Sequence, residues 1–418
     1  MKPYKVLTAT GLAYCLLLSI LVVNLSAIAQ DHPAAKTEVA ALFPSDSDPH
    51  ARSGADHFYN MEYDQAIHDY ELVVRQYPDD PIALNHLLAA VLFKELNRIG
   101  ALDTELYSGN SFLAAKQTAV DPKVRQRISD LTDQAMALSD RRLRANPNDV
   151  YALYARGITK ATRATTLGPM DKAWFSGLRS ALGARHDHER VLELDPGFTD
   201  AKMVVGIHNY IIGSLSWTAK VAASMVGLSG SKQKGIQYLY DAANGGQDAA
   251  VDSKIVLSLF LRREQRYQEA IALVTDLTNA YPHSYLCALE YANLMNAAGR
   301  GPEAVAAYRR LLDAGKAGAF PQSRLEVAAW GLGEALRGQH DFLGAALAYE
   351  SVSSYPRAET QLKDRANLAA GQMYDLLQKR DLALKKYEQV VAAADDPVRA
   401  SEARRYMKQP YQGGSARL

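Results

Sequence analysis

Residues Ser53–Pro81 read "SGADHFYNMEYDQAIHDYELVVRQYPDDP". Gly54, Ala66 and Pro78 stand twelve residues apart, with Tyr63 three before the alanine and Tyr70 four after it. The same frame returns at Ser258, Ala270 and Pro282 with Tyr267, and at Ala292 and Ala304 with Tyr308. It returns again at Gly333 and Ala345 with Phe342 and Tyr349, and at Gly371 and Ala383 with Tyr387. Ala135–Pro147 and Ala184–Pro196 repeat its second half, and Gly157 and Gly206 follow those prolines by ten residues.

Each position of the frame has a mechanical reason. A small residue in the first helix lets its antiparallel partner approach, and the second small residue does the same where one pair meets the next. Aromatic rings fill the space between helices, and the proline stops the second helix, which it cannot continue. A single pair cannot bury its apolar face, so pairs stack. The frame resembles the tetratricopeptide repeat (TPR) family over roughly residues 47–397. That resemblance implies an all-α, right-handed superhelical solenoid of antiparallel helix pairs, with about eight repeats and some insertions.

Three stretches break the period: 97–117 ("NRIGALDTELYSGNSFLAAKQ"), the excess between Gly157 and Ala184, and the region after Gly206, up to about 250. Insertions in a solenoid are expected in loops. The expected organisation is therefore a signal over 1–29, a linker over 30–46, irregular repeats over 47–250, regular repeats over 251–397 and a C-terminal tail over 398–418, the repeats forming one continuous stack.

The third break contains "SLSWTAKVAASMVGLSGSKQKG", Ser214–Gly235. It lacks the Gly-Lys step and preceding strand of a phosphate loop. It is too short to span a bilayer, and Lys220 interrupts it. Leu215, Trp217, Val221 and Met225 fall roughly on one side of a helix, which would suit an interfacial segment. The expectation preferred here is that they complete the core of a neighbouring repeat. Gly206, Leu215, Gly227, Gly230, Gly235 and Leu239 follow the order of the central segment of the tetratricopeptide repeat protein 39 family, which this stretch resembles over about forty residues, without that family's prolines after the leucines. The resemblance implies a segment built into the repeat architecture; it brings an association with lipid or inclusion-body handling and no enzymatic activity.

Lys2 and Lys5 precede the nearly apolar "VLTATGLAYCLLLSILVV", and Ala27 and Ala29 then frame an A-x-A site. This is the pattern of an export signal, with Gln30 as first mature residue and a periplasmic destination; the alternative is an uncleaved helix anchored in the inner membrane. Cys15 follows Tyr14, where lipid attachment needs a small residue. Cleavage would take the formal charge from +1 to −1 and leave Cys287 as the single cysteine, so packing, not a disulfide, must hold the fold. With 47 basic and 46 acidic residues interspersed, nucleic-acid binding is not expected.

Chemistry-bearing constellations are few. His186 and His188, two apart in "RHDHER", point in different directions on a helix and sit between arginines, so no metal site is expected. There is no nucleophile turn and no evident acid–base pair, hence no catalytic residue and no cofactor. The expected partner is a protein or peptide in a concave groove lined by first helices, with Tyr151, Tyr154, Tyr210, Arg262, Asn293, Asn296, Trp330, Glu334, Arg337 and Gln372 as candidates. The sequence thus favours a non-enzymatic exported adaptor in a bacterial envelope, with peripheral membrane contact through 214–235 as the alternative.

Overall fold

The structure, a computed structural model, describes residues 44–102, 119–171, 173–225, 227–320, 323–393 and 396–413. The export signal, most of the 30–46 linker and most of the 97–117 insertion lie outside the described residues. Those described form helices and their connections, in two compact units, residues 1–260 and 261–418.

The first unit contains α1 (Pro49–Tyr59), α2 (Tyr63–Gln76), α3 (Pro81–Arg98), α4 (Pro122–Ala145), α5 (Val150–Thr165), α6 (Trp174–Leu194), α7 (Lys202–Ser214), α8 (Trp217–Met225) and α9 (Lys232–Gly245). Helix α10 (Ala250–Arg263) carries the boundary. The second unit continues with α11 (Tyr267–Ala280), α12 (Tyr285–Ala297), α13 (Gly301–Lys316), α14 (Leu325–Gly338), α15 (Phe342–Val352), α16 (Thr360–Leu376), α17 (Arg380–Ala393) and α18 (Pro397–Lys408). Successive helices pack against one another from α1 to α7 and from α11 to α18, and α7 packs on α9. The fold is all-α and tetratricopeptide-like.

Helix boundaries follow local chemistry. Asp48, Asp80, Asp121 and Asp396 each precede a proline at the first helical position, and their carboxylates accept the backbone N–H two residues on, at 2.8, 2.9, 2.8 and 2.9 Å. The second helices α2, α4, α6 and α11 all stop two residues before Pro78, Pro147, Pro196 and Pro282. First helices end differently. Seven residues after each frame position stand Met61, Gln265, Gly299, His340 and Gln378, all at positive φ between 58° and 73°. Each is the left-handed residue of a Schellman cap; the N–H of His340, for instance, reaches the Arg337 carbonyl (3.0 Å) and that of Asp341 the Leu336 carbonyl (3.0 Å).

The frame's packing logic holds atom by atom. A methyl group on Gly54, Gly333 or Gly371 would come within 2.8, 2.5 and 2.5 Å of the rings of Tyr70, Tyr349 and Tyr387, sixteen residues on. These tyrosines are fully buried, an arrangement worth about 2–3 kcal/mol each in apolar burial. Two of their hydroxyls find acceptors, Tyr349 in Glu334 (2.5 Å) and Tyr387 in Asp375 (2.8 Å), as does Tyr308 of another repeat in Asn293 (2.6 Å), whereas the buried Tyr70 hydroxyl has none among the described residues.

One expected loop is a continuation of its helices. The excess between Gly157 and Ala184 lengthens α5 and α6, which meet through a π-type turn at Thr166–Met170. "RHDHER" lies on α6: Asp187 is buried and held by Arg156 (2.9 and 2.8 Å) and Lys160 (2.6 Å), tying α6 to α5. His188 is buried beside Tyr154 and donates to the Ala184 carbonyl (2.8 Å), whereas His186 is exposed. Burial pushes the His188 pKa down to about 4.

Candidate functional site

The stretch between Gly206 and Gly235 is built on backbone-to-backbone contact between α7 and α9. A methyl on Gly235 would lie 2.5 Å from the Tyr210 nitrogen and 2.6 Å from the Gly206 carbonyl oxygen. One on Gly206 would lie 3.0 Å from the Gly235 oxygen, one on Gly213 2.7 Å from the Ser231 carbonyl carbon, and one on Gly230 2.7 Å from the Asn209 oxygen. Four glycines thus let two helices touch along their length. The start of α9 is packed on the end of α7 and capped by Ser231, whose hydroxyl accepts from the Lys234 N–H (3.3 Å).

This crossing closes both ends of residues 215–229. The segment between them is displayed as α8, whose main neighbour in the fold is α7. Its ends are well formed. Ser216 leads into it, with the Lys220 N–H on the Ser216 carbonyl (2.9 Å). Gly227 (φ 79°) stops it in a Schellman cap, with Gly227 N–H on Ser224 (3.0 Å) and Leu228 N–H on Ala223 (2.9 Å). A second tie comes from His208 on α7, which hydrogen-bonds the Ser229 backbone on one side and accepts from Arg185 (2.6 Å) on the other. Burial and then Arg185 push its pKa down to about 4, so the imidazole stays neutral near pH 7.

Helix α8 corrects the expectation that this segment completes the core. It has no buried residue. Trp217 is 78% exposed and Met225 80% exposed, with Val221 half-buried between them on the same face. Ala219, Ala222 and Ala223, on the other side, are half-buried. The larger apolar side chains point out and the alanines point in, the reverse of an ordinary surface helix. No acidic residue occurs from 201 to 240, a stretch with Lys202, Lys220, Lys232 and Lys234.

The groove candidates divide. Tyr154 and Tyr210 are core residues: Tyr154 donates to Asp248 (2.8 Å), and Tyr210 stacks on Phe260 with centroids 3.8 Å apart. Trp330 is likewise buried, packed on Tyr349 and covered by the Arg365 guanidinium at 4.1 Å. Asn293 is buried beneath Tyr308. These four cannot face a partner: Tyr154 and Trp330 stand three residues before the small position, a register buried also at Ala51, Met203, Leu289 and Leu368, whereas Asn293 and Tyr210 occupy registers that are more open at Glu334 and Asn296. Tyr151 is half-buried, its hydroxyl on Asp80 (2.9 Å). Arg262 reaches both oxygens of Glu290 (3.1 and 3.0 Å), and Arg337 pairs with Glu334 (2.6 Å). Asn296 and Arg337 are exposed, and Arg262, Glu334 and Gln372 half-buried. Cys287 is half-buried on α12, its thiol pushed up to about 11 by burial.

Sequence reasoning missed a buried polar cluster in the first unit. Asp248, in the α9–α10 turn, accepts from Tyr154 and pairs with His86 of α3 (3.3 Å). Burial alone would lower the His86 pKa, but the hydrogen bond and charge of Asp248, with Asp46 and Asp80, raise it. Asp200, just before α7, accepts the N–H groups of Gln247 (2.8 Å) and Ala249 (2.7 Å). The cluster joins residues 162 apart in sequence; only the Asp-rich "GGQDAAVD" turn marks it. Among the described residues, no group of three or more His, Cys, Asp or Glu side chains could hold a metal ion.

Burial, and then the charge of Asp248, raise the Asp200 pKa to about 7 from 3.8. The native state therefore binds the extra proton between about pH 4 and pH 7, and the stability this proton brings is full below the unfolded pKa and lost as pH rises through 7. Asp200→Asn keeps an oxygen acceptor without the charge. It is expected to match the parent near pH 4 and to exceed it at pH 8 by up to about 4 kcal/mol. Urea denaturation of both proteins across that range checks this; a difference independent of pH would contradict it.

No family model matches the chain, and no curated protein matches it. The resemblance of the central segment to the tetratricopeptide repeat protein 39 family therefore stands on its own residues. Several solved structures are similar. A tetratricopeptide repeat protein from Parabacteroides merdae aligns over 77% of this chain and 97% of its own, at 12% identity and a TM-score of 0.32. Yeast Tom70 aligns over 86% and 88%, at 13% identity and a TM-score of 0.34. The human IFIT1 dimer with m7Gppp-AAAA aligns over 96% and 87%, at 10% identity and a TM-score of 0.42.

Proposed function

We propose that this chain is a non-enzymatic scaffold, exported to a bacterial cell envelope, that holds a segment of a partner protein on the first helices of its second unit. The supporting observation is a polar ladder: four residues after the small position, successive first helices carry Arg262, Asn296 and Arg337. Glu334 and Gln372, one residue after that position, flank it. Both arginines are held in place by carboxylates, which limits the side-chain entropy that a partner's binding must overcome. Export rests on the N-terminal sequence alone.

Photo-crosslinking in cells, with the reactive group at Asn296 and separately at Arg337, tests this reading. One saturable protein adduct at both positions, that at Asn296 weakened at least about tenfold by Arg262→Glu with Arg337→Glu and that at 337 by Arg262→Glu, is the expected result. Adducts that do not saturate, or that ignore the charge reversal, would overturn it.

A second reading, a factor that works at a membrane surface, is favoured by one specific observation: the outward apolar face of α8.

A further inference from the structure

We propose that the α9–α10 turn is a pH-operated latch, locked onto α3 and α5 while Asp200 and His86 hold their protons and released when both are lost. The turn reads "GGQDAA", Gly245–Ala250. From it Asp248 reaches His86 of α3 with one oxygen (3.3 Å) and Tyr154 of α5 with the other (2.8 Å). Asp200, just before α7, holds the same turn by accepting the N–H groups of Gln247 (2.8 Å) and Ala249 (2.7 Å) on one oxygen. All four side chains are buried. The turn also has a hinge, since it opens on two glycines, the residues with the widest backbone freedom. A methyl on Gly246 would lie 2.8 Å from the Asp200 oxygen, so the closed turn presses directly on that carboxyl.

Charge inside the lock balances only when both protons are present. A neutral Asp200, an ionised Asp248 and an imidazolium at His86 sum to zero; without the protons, two buried carboxylates stand beside a neutral ring. The surrounding groups do not offset that change. Asp46, before α1, and Asp80, before α3, face His86, and Tyr70 of α2 packs its ring on it at 5.4 Å. Asp252 of α10 faces Tyr154 and Tyr70, and Asp56 and Asp69 face Tyr70. His188 of α6, packed on Tyr154, is neutral near pH 7, and Lys160 beside it is taken by Asp187 (2.6 Å). Lys202, two residues after Asp200, is taken by Asp241 (2.8 Å). Among the described residues no lysine or arginine is buried.

The two protons act in the same direction. Burial and then Asp248 raise the Asp200 pKa to about 7, and at His86 the lowering by burial is outweighed by Asp248, Asp46 and Asp80. Opening returns both groups to water and to lower pKa values. The closed turn is therefore favoured at low pH, and that advantage is lost as pH rises through about 7.

Hydrogen exchange of the full chain between pH 6 and pH 8.5, read as protection factors so that the intrinsic pH dependence of exchange cancels, tests the latch. The Gln247 and Ala249 amides lie on Asp200, and the Ser253 N–H on the Ala249 carbonyl (2.9 Å). Their protection is expected to fall at least about tenfold over that range, the factor supplied by one proton bound with a pKa near 7. A local opening exposes little surface, so the same amides should respond weakly to low urea while amides of α2 and α6 respond strongly. Asp200→Asn keeps the acceptor and should leave only the share of His86; adding His86→Gln should abolish the fall. Protection that does not change with pH would overturn the latch. So would a urea response equal to that of α2 and α6, which would mean that the turn opens only when the unit unfolds. An undiminished fall in the double variant would overturn the assignment to these two protons.

Discussion

Gly235→Ala is expected to be among the most damaging single substitutions in the first unit, costing about 3–5 kcal/mol. The added methyl would meet the Tyr210 nitrogen and the Gly206 oxygen, at 2.5 and 2.6 Å. Both are backbone atoms in the middle of α7, so no side chain can rotate away. The helices must separate, and Gly206, Gly213 and Gly230 then lose the contact for which they are small. Alanine's higher helix propensity returns only about 1 kcal/mol, so the clash decides the sign. Hydrogen exchange on the full chain checks this: α7 and α9 amides should lose protection while α14–α17 keep theirs. Unchanged protection in α9 would show that the crossing tolerates a methyl and that it does not fix the base of α8.

Asp248→Ala is the second large effect, about 3–5 kcal/mol. Tyr154 and His86 share this acceptor in a place with no exposure to water, and both rings are buried. Removing the carboxylate takes away the counter-charge that raises the His86 pKa and the hydrogen-bond acceptor of a core tyrosine. Asp248→Asn retains an oxygen and should cost less than half as much. Chemical denaturation followed by far-UV circular dichroism should show the first unit's transition moving to lower denaturant with the second unit's unchanged. Equal losses for Ala and Asn would mean that the carboxylate's charge, and neither packing volume nor an oxygen acceptor, sets the value of this position. A loss below about 1 kcal/mol for Ala would mean that the cluster is dispensable.

The repeat was legible because it depends on spacing. Gly54, Gly333 and Gly371 are small for the same reason, the ring of a tyrosine sixteen residues on, and a frame that recurs in phase reports that reason without coordinates. The prolines that stop the second helices were legible because a missing N–H acts locally. The direction in which a side chain faces was not, in the irregular half (Tyr154, Tyr210) or in the regular one (Asn293, Trp330). Tyr210 and Asn296 occupy the same frame position, but Phe260 covers Tyr210 while solvent reaches Asn296. The orientation of α8 was hidden for a related reason. Its apolar spacing fits a buried helix and an outward one equally well, and the choice is made by the α7–α9 crossing at either end. The Asp248 cluster had only the Asp-rich turn as a local sign, since His86, Tyr154 and Asp248 meet through the stacking of α3, α5 and the α9–α10 turn.

The most direct test of the account is the solvent exposure of Trp217 in the unliganded full chain, read as fluorescence in a Trp174→Phe, Trp330→Phe background. Emission characteristic of a water-exposed indole, quenched by acrylamide nearly as fully as a free tryptophan derivative, is the predicted result. Blue-shifted emission shielded from acrylamide would mean that α8 folds its apolar face against the protein, and would contradict the display on which the membrane reading depends.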